Sequence, residues 1–159
     1  METSEARIIR YLQDAWNIER SLVDLLKEME EEVQEEHVVH VSEKQWTMAR
    51  EHLREVEERL ALLDGRIPSR EPMVIRLGEP WERAHDEYDK AIRALRKMFA
   101  TQNSKMAMYG ALAHFAHTVG DEKTAQLAKS HEDGSMQMAR EVLRLIGPVA
   151  SRVAVTVSR

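Results

Sequence analysis

Cysteine is absent, which rules out disulfides, thiolate metal sites and cysteine nucleophiles. Six glycines and four prolines in 159 residues are too few for the many turns of a β-rich architecture. Aromatic residues make up only 5% of the chain, so aliphatic side chains and nine methionines must build most of the core. No run approaches the 18 or so apolar residues of a membrane-crossing helix, and the first ten residues lack the apolar centre of a secretion signal. A cytoplasmic protein that does not enter membranes is expected. Positive charge is not in excess either. Twenty-eight acids against 23 Lys and Arg leave a net charge of −5, which argues against a nucleic-acid binder. Gly-rich phosphate loops, Gly-x-Ser-x-Gly elbows and basic aromatic platforms are also missing.

What is present favours helix: Leu, Ala, Met, Glu, Arg and Lys dominate. In residues 5–32, Ile8, Leu12, Ala15, Leu22, Leu26, Met29 and Val33 step by threes and fours, which predicts a first helix. Residues 34–41, with charges, two His and β-branched side chains, read as a link. Ser42 with Gln45 has the form of a capping box and predicts the start of a second helix. Its stripe is Trp46, Ala49, Leu53, Val56, Leu60 and Leu63, and Gly65 is its stop. Residues 66–79, with Pro68, Pro72 and Gly78, read as a long connection, and Pro80 predicts a short helix over 80–90. A third helix is expected over 91–118, striped by Ile92, Leu95, Phe99, Met106, Tyr109, Ala113 and Ala116. Gly120 ends it, and Asp121 can cap a fourth that runs to about 146 and stops at Gly147-Pro148. Residues 147–159 form a tail that alternates like an edge segment, an oligomer contact or a loose end.

These features predict an all-α fold in a single domain, 1–159, with its core over about 5–146. A long second-to-third crossover containing a short extra helix is the connection of a ferritin-like four-helix bundle. Near the midpoint of each helix the apolar stripe is interrupted. Glu19 occupies the seam of the first helix, Gln102 that of the third, and His131 with Glu132 that of the fourth; His52 and Glu55 flank the seam of the second. Packed together, these groups form one layer. A carboxylate in a core seam costs several kcal/mol unless paired or metal-bound, so three readings stay open: a metal site, a hydrogen-bonded network, or a seam-edge position for Glu19. Other clusters have plainer accounts. His37 and His40 read as an exposed pair in the first link. His114 and His117 complement the dipole at the end of the third helix. The six acids in residues 28–36 read as a solvated helix end.

Four motifs lie in order along the chain: Tyr11-Leu-Gln-Asp-Ala-Trp-Asn-Ile-Glu19-Arg-Ser-Leu22; Glu51-His52-Leu-Arg-Glu55-Val-Glu57; Met108-Tyr109-Gly110-Ala-Leu112; and Gly120-Asp121-Glu-Lys-Thr-Ala125. Together they resemble the YciE/YciF-type ferritin-like stress proteins. The resemblance implies a four-helix ferritin-like fold, a homodimer and a stress association. Glu19 and Glu55 match the family's acids in the first two helices. In the third, where the family carries Glu, His and a further acid, this chain reads Gln102, Asn103 and Lys105. In the fourth, His131-Glu132-Asp133 lies slightly out of register with the family's paired acids. Gln102 is neutral, and an inward Lys105 would repel a metal ion. The resemblance with these departures implies a degenerate metal site, no cofactor, no catalysis and a structural or stress-associated role. The alternative is a protein that binds iron or manganese through a partial site of Glu19, Glu55, His131 and Glu132, with oxidase-type activity. The two readings divide on whether Gln102, Asn103 and Lys105 face inward.

Overall fold

A computed structural model describes residues 1–69 and 86–157, and for Val157 the backbone alone. Four long helices account for nearly all of it: α1 (Ser4–Glu32), α2 (Glu36–Leu62), α3 (Glu87–Thr118) and α4 (Glu122–Val157). The short helix expected from Pro80 falls mostly outside the described residues. Its last residues belong to α3, which starts at Glu87 behind an Asp86 cap that accepts from the Asp89 N–H at 2.9 Å.

Buried apolar side chains form two clusters. One joins Leu22, Leu26 and Met29 of α1 to Val38 and Val41 of α2, Leu95 and Met98 of α3, and Val142 of α4. The other joins Leu12 and Trp16 to Val56 and Leu60, Leu112 and Ala116, and Ala125 and Ala128. The first cluster thus gathers the C-terminal halves of α1 and α4 with the N-terminal halves of α2 and α3. It follows that α2 and α3 run parallel. The expected all-α four-helix bundle with a long crossover is the observed one.

The link between α1 and α2 is shorter than the sequence suggests. Glu35 caps α2, its Oε2 accepting the Val38 N–H at 2.8 Å, and α2 begins at Glu36 rather than Ser42. Val38 and Val41 are buried one turn apart, which carries the helix through that β-branched stretch. The capping-box residues Ser42 and Gln45 sit inside α2, both buried. The buried face of α2 is also rotated from the expected stripe. Gln45 and His52 face inward, while Trp46 is 37% exposed with the Arg50 guanidinium 4.6 Å over its ring. His37 and His40 lie exposed in the first turns of α2, not in a link.

At the other end of α2 the left-handed residue is Asp64 (φ 53), and the Gly65 N–H returns to the Leu60 carbonyl at 2.8 Å. The α3–α4 turn closes in the usual left-handed helix stop. Gly120 has φ 83, its N–H bonds the His117 carbonyl, and the Asp121 N–H bonds the Ala116 carbonyl at 2.9 Å. Asp121 caps α4 as expected, accepting from the Thr124 N–H, and Arg59 of α2 reaches both Asp121 and Thr124 at 2.8 Å.

The largest departure is at the C-terminus. Gly147-Pro148 does not end α4, which runs on to Val157 with Pro148 inside it. The expected tail is helix over 147–157, with Val149 and Val153 buried in the first cluster. A proline within a helix costs about 3 kcal/mol. Burying two valines offsets that with about 1.5–3 kcal/mol each. Pro148 and Arg144, whose carbonyl loses its partner, both lie on the exposed face, where water can hydrate the carbonyl. Arg152 adds an ion pair to Glu35 at 3.0 Å.

Pro148→Ala restores the missing hydrogen bond without touching the buried valines. It is expected to raise stability by up to about 3 kcal/mol, read as a higher urea midpoint at unchanged helix content. A lower midpoint would sink this account of the C-terminal turn.

A buried polar layer as the candidate functional site

Between the two apolar clusters every helix contributes polar side chains. Glu19 comes from α1, Gln45 and His52 from α2, Gln102, Lys105 and Tyr109 from α3, and His131 and Ser135 from α4; all are buried. The spacing explains the convergence. Gln45 and His52 are seven apart, and His131 and Ser135 four apart. Met98, Gln102, Lys105, Tyr109 and Leu112 form one stripe of threes and fours on α3. That stripe shares Gln102 and Tyr109 with the expected one but passes through Met98 and Lys105 in place of Phe99 and Met106, which are only partly buried.

Glu19 is the hub. Its Oε1 accepts from the Tyr109 hydroxyl at 2.8 Å and from His52 Nδ1 at 3.0 Å. Its Oε2 lies 2.9 Å from Lys105 Nζ, an ion pair in which both side chains are 0% exposed. Burial on its own would raise the Glu19 carboxyl, but the Lys105 ammonium and His52 outweigh it and hold the group below the usual carboxylate range. Burial pulls Lys105 below the usual lysine range, against the opposing charge of Glu19. Burial, reinforced by Glu19, raises Tyr109 well above an ordinary phenol and keeps it a neutral donor.

A second pair leads from the layer toward the surface. His131 Nε2 donates to Oε2 of the half-buried Glu55 at 2.9 Å. Burial, then the neighbouring His52, pushes His131 down to about 3, so the ring is neutral and its buried Nδ1 carries a lone pair with no protein partner among the described residues. Glu55 is raised, by burial and then by Glu51. The two pairs meet where the rings of His52 and His131 stack, 3.8 Å between centroids, with Tyr109 edge-on to both. Gln102 Nε2 donates to Gln45 Oε1 at 3.1 Å beside them.

Three of the four residues singled out as metal ligands, Glu19, Glu55 and His131, therefore belong to one connected cluster. Glu132 does not join it. It pairs with Lys129 at 3.2 Å and lies over Gly110, where a Cβ would stand 3.1 Å from its Oε1. His52 and Tyr109 carry as much of the layer as the residues expected to, and Gln102 and Lys105 face inward while Asn103 is only partly buried. Among the described residues no group of three or more His, Asp or Glu side chains is placed to hold a metal ion. The donor set does not fit a pair of divalent ions. Its one fully buried carboxylate has both oxygens engaged, and the group nearest Oε2 is an ammonium.

A family model described as "Domain of unknown function (DUF892)" matches residues 3–154. The chain belongs to this family. Solved structures share its fold. A protein from Xanthomonas campestris pv. campestris is 17% identical, with a TM-score of 0.82 over 99% of this chain and 100% of that one. The Escherichia coli stress protein YciF is 16% identical, with a TM-score of 0.81 over 95% and 99%. YcfI from Rhodopseudomonas palustris, to which a structural role is ascribed, is 14% identical, with a TM-score of 0.73 over 88% and 92%. Among curated proteins none matches the chain in sequence. The resemblance to the YciF-type family and the ferritin-like bundle stand on these findings. Among the described residues no helix is long and apolar enough to cross a membrane.

Two predictions follow from the geometry of the layer. From sequence, Glu19→Leu on an inert layer is expected to be neutral or stabilising. With Lys105 buried against it, the single change strands an ammonium, and a loss of about 3–5 kcal/mol is expected instead. Glu19→Leu with Lys105→Met removes both charges and should fall within about 1 kcal/mol of the wild type or above it; additive losses in a double-mutant cycle would refute the pairing. The second concerns pH. Because His131 titrates near 3 when folded and near 6.5 when unfolded, the unfolded chain takes up a proton that the folded chain refuses between those values. Stability should therefore fall with falling pH through that window, by about 1.4 kcal/mol per unit from this group. Glu19, held low when folded, adds a further loss once pH drops below its unfolded value of 4.5. Urea unfolding at about pH 7 and about pH 5 measures the slope, and His131→Gln should flatten it; an unchanged slope in that variant counts against a buried neutral His131.

Proposed function

We propose that this chain is a non-catalytic ferritin-like protein with a degenerate metal site, acting as a homodimer in a structural or stress-associated role. The observation that carries the reading is the occupation of Glu19, the one fully buried carboxylate among the described residues, by Lys105, His52 and Tyr109. Oxidation of a metal in a bundle needs inward carboxylates free to ligate and to bridge. Here the buried carboxylate is spent on internal donors, and Glu55 is turned to His131. A layer of this kind joins four helices through polar contacts without offering open coordination positions. The stress association rests on membership of a family whose fold relatives include a stress protein of E. coli. Exposed Trp46 and Leu143 supply apolar surface for a second copy.

The test is iron loading. Purified protein is incubated anaerobically with Fe(II), desalted, assayed for iron and then exposed to oxygen, and the same preparation is sedimented. Negligible bound iron, no oxygen uptake above buffer and a particle of two chains are expected. Two irons per chain with oxygen consumption would overturn the reading in favour of an oxidase, and one retained ion would point to a partial site at Glu19, Glu55 and His131.

A further inference from the structure

The central layer poses a charge problem that the apolar clusters do not. Carboxylate-rich bundles that hold two metal ions set four Glu and two His around them, so that the carboxylates and the cations neutralise each other. In this chain the fully buried ionic groups of the described layer are one carboxylate and one ammonium. The balance is already one to one, and the positive partner is covalently attached to α3.

We infer that the Lys105 ammonium is the built-in cation of this bundle: it stands beside Glu19 where a carboxylate-lined layer would otherwise take up a metal ion, it keeps metal ions out, and its removal opens a latent cation site at the Glu19 carboxylate. The inference rests on the metal-free reading above and adds to it the group responsible. Three observations carry it. Nζ lies 2.9 Å from Glu19 Oε2 at 0% exposure, a charge-to-charge contact in the middle of the molecule. No partner other than Glu19 is recorded for Nζ among the described residues, so that one carboxylate holds it. The opposite oxygen is braced by the Tyr109 hydroxyl and by His52 Nδ1, which would fix the carboxylate for a free cation as they fix it for the tethered one. Lys105 and Tyr109 are one turn apart on α3, so one helix supplies both the cation and a brace for the same carboxylate. An ordinary structural ion pair would share the first observation. It would not leave behind a place that a free cation fills.

Co(II) is the probe, because its visible absorption reports ligation. Wild type, Lys105→Ala and Glu19→Gln with Lys105→Ala are titrated with Co(II), and each is melted with and without it. Lys105→Ala is expected to melt below the wild type and to recover part of that loss with Co(II). It should bind one ion per chain at least tenfold more tightly than the wild type, whereas the double variant should bind no better than the wild type. Should the alanine variant fail to fold, Lys105→Gln, which keeps most of the volume and loses the charge, is measured in the same way. Binding by neither variant, or equal binding by the double variant, would overturn Lys105 as the built-in cation and leave the metal-free reading intact. Uptake of Co(II) by the wild type itself, quenched by Glu19→Gln, would overturn both.

Discussion

A charge buried in the middle of a helical bundle has to be answered there, and much of this structure follows from how Glu19 is answered. A carboxylate removed from water carries a penalty of several kcal/mol that apolar packing cannot relieve. Lys105 supplies the countercharge, and Tyr109 and His52 the hydrogen bonds. These donors come from α2 and α3, so a single carboxylate on α1 fixes the rotation of two other helices. The rotation of α3 that brings Lys105 inward is the one that places Tyr109 one turn further on. The rotation of α2 that brings in His52 also brings in Gln45 and turns Trp46 out to solvent. His52 then stacks on His131, and α4 is set in turn.

The same layer divides the core. Apolar contacts on either side are interchangeable in kind: Leu, Met, Val and Ala at steps of three and four tolerate small slips of register. Polar contacts do not, since a slip of one residue strands an ammonium or a carboxylate. Specificity in this bundle therefore resides in the middle, and bulk stability in the two ends. The ends carry their own fastenings. Arg59 binds the Asp121 cap at the α3–α4 turn, and Arg152 reaches the Glu35 cap at the α1–α2 turn. In each, an arginine on one helix holds the carboxylate that begins another, so that helix starts are coupled to bundle packing.

Much of this was legible in the sequence, and the parts that were not share a cause. Helix existence, the turn at Gly120 with the Asp121 cap and the central position of Glu19 and Gln102 all follow from patterns local in the chain, as does the length of the link that Pro68, Pro72 and Gly78 mark. The inward turn of Lys105 does not. On α3, Phe99 and Met106 make a more hydrophobic stripe than Met98 and Lys105, and only a carboxylate on another helix reverses the preference. Likewise Ser42 and Gln45 have the form of a cap, but Glu35 caps earlier, because Val38 and Val41 find cover in the bundle. Pro148 marks a stop by every local rule. The valines beyond it are buried by other helices, and that burial outweighs the proline. In each case a tertiary contact outweighed a local signal of about 1–3 kcal/mol.

A shared fold leaves the chemistry of its central layer to the residues that fill it. The bundle needs something positive beside Glu19, the one fully buried carboxylate among the described residues. With Gln102 neutral and paired to Gln45, one positive charge is sufficient, and a lysine supplies it without dependence on metal supply or redox state. A free metal ion is gained and lost with its concentration, and stability that depends on it follows that concentration. A tethered ammonium makes the same fold indifferent to it. On the proposed structural role that indifference is an advantage, because the ammonium already stands where a free cation would have to bind.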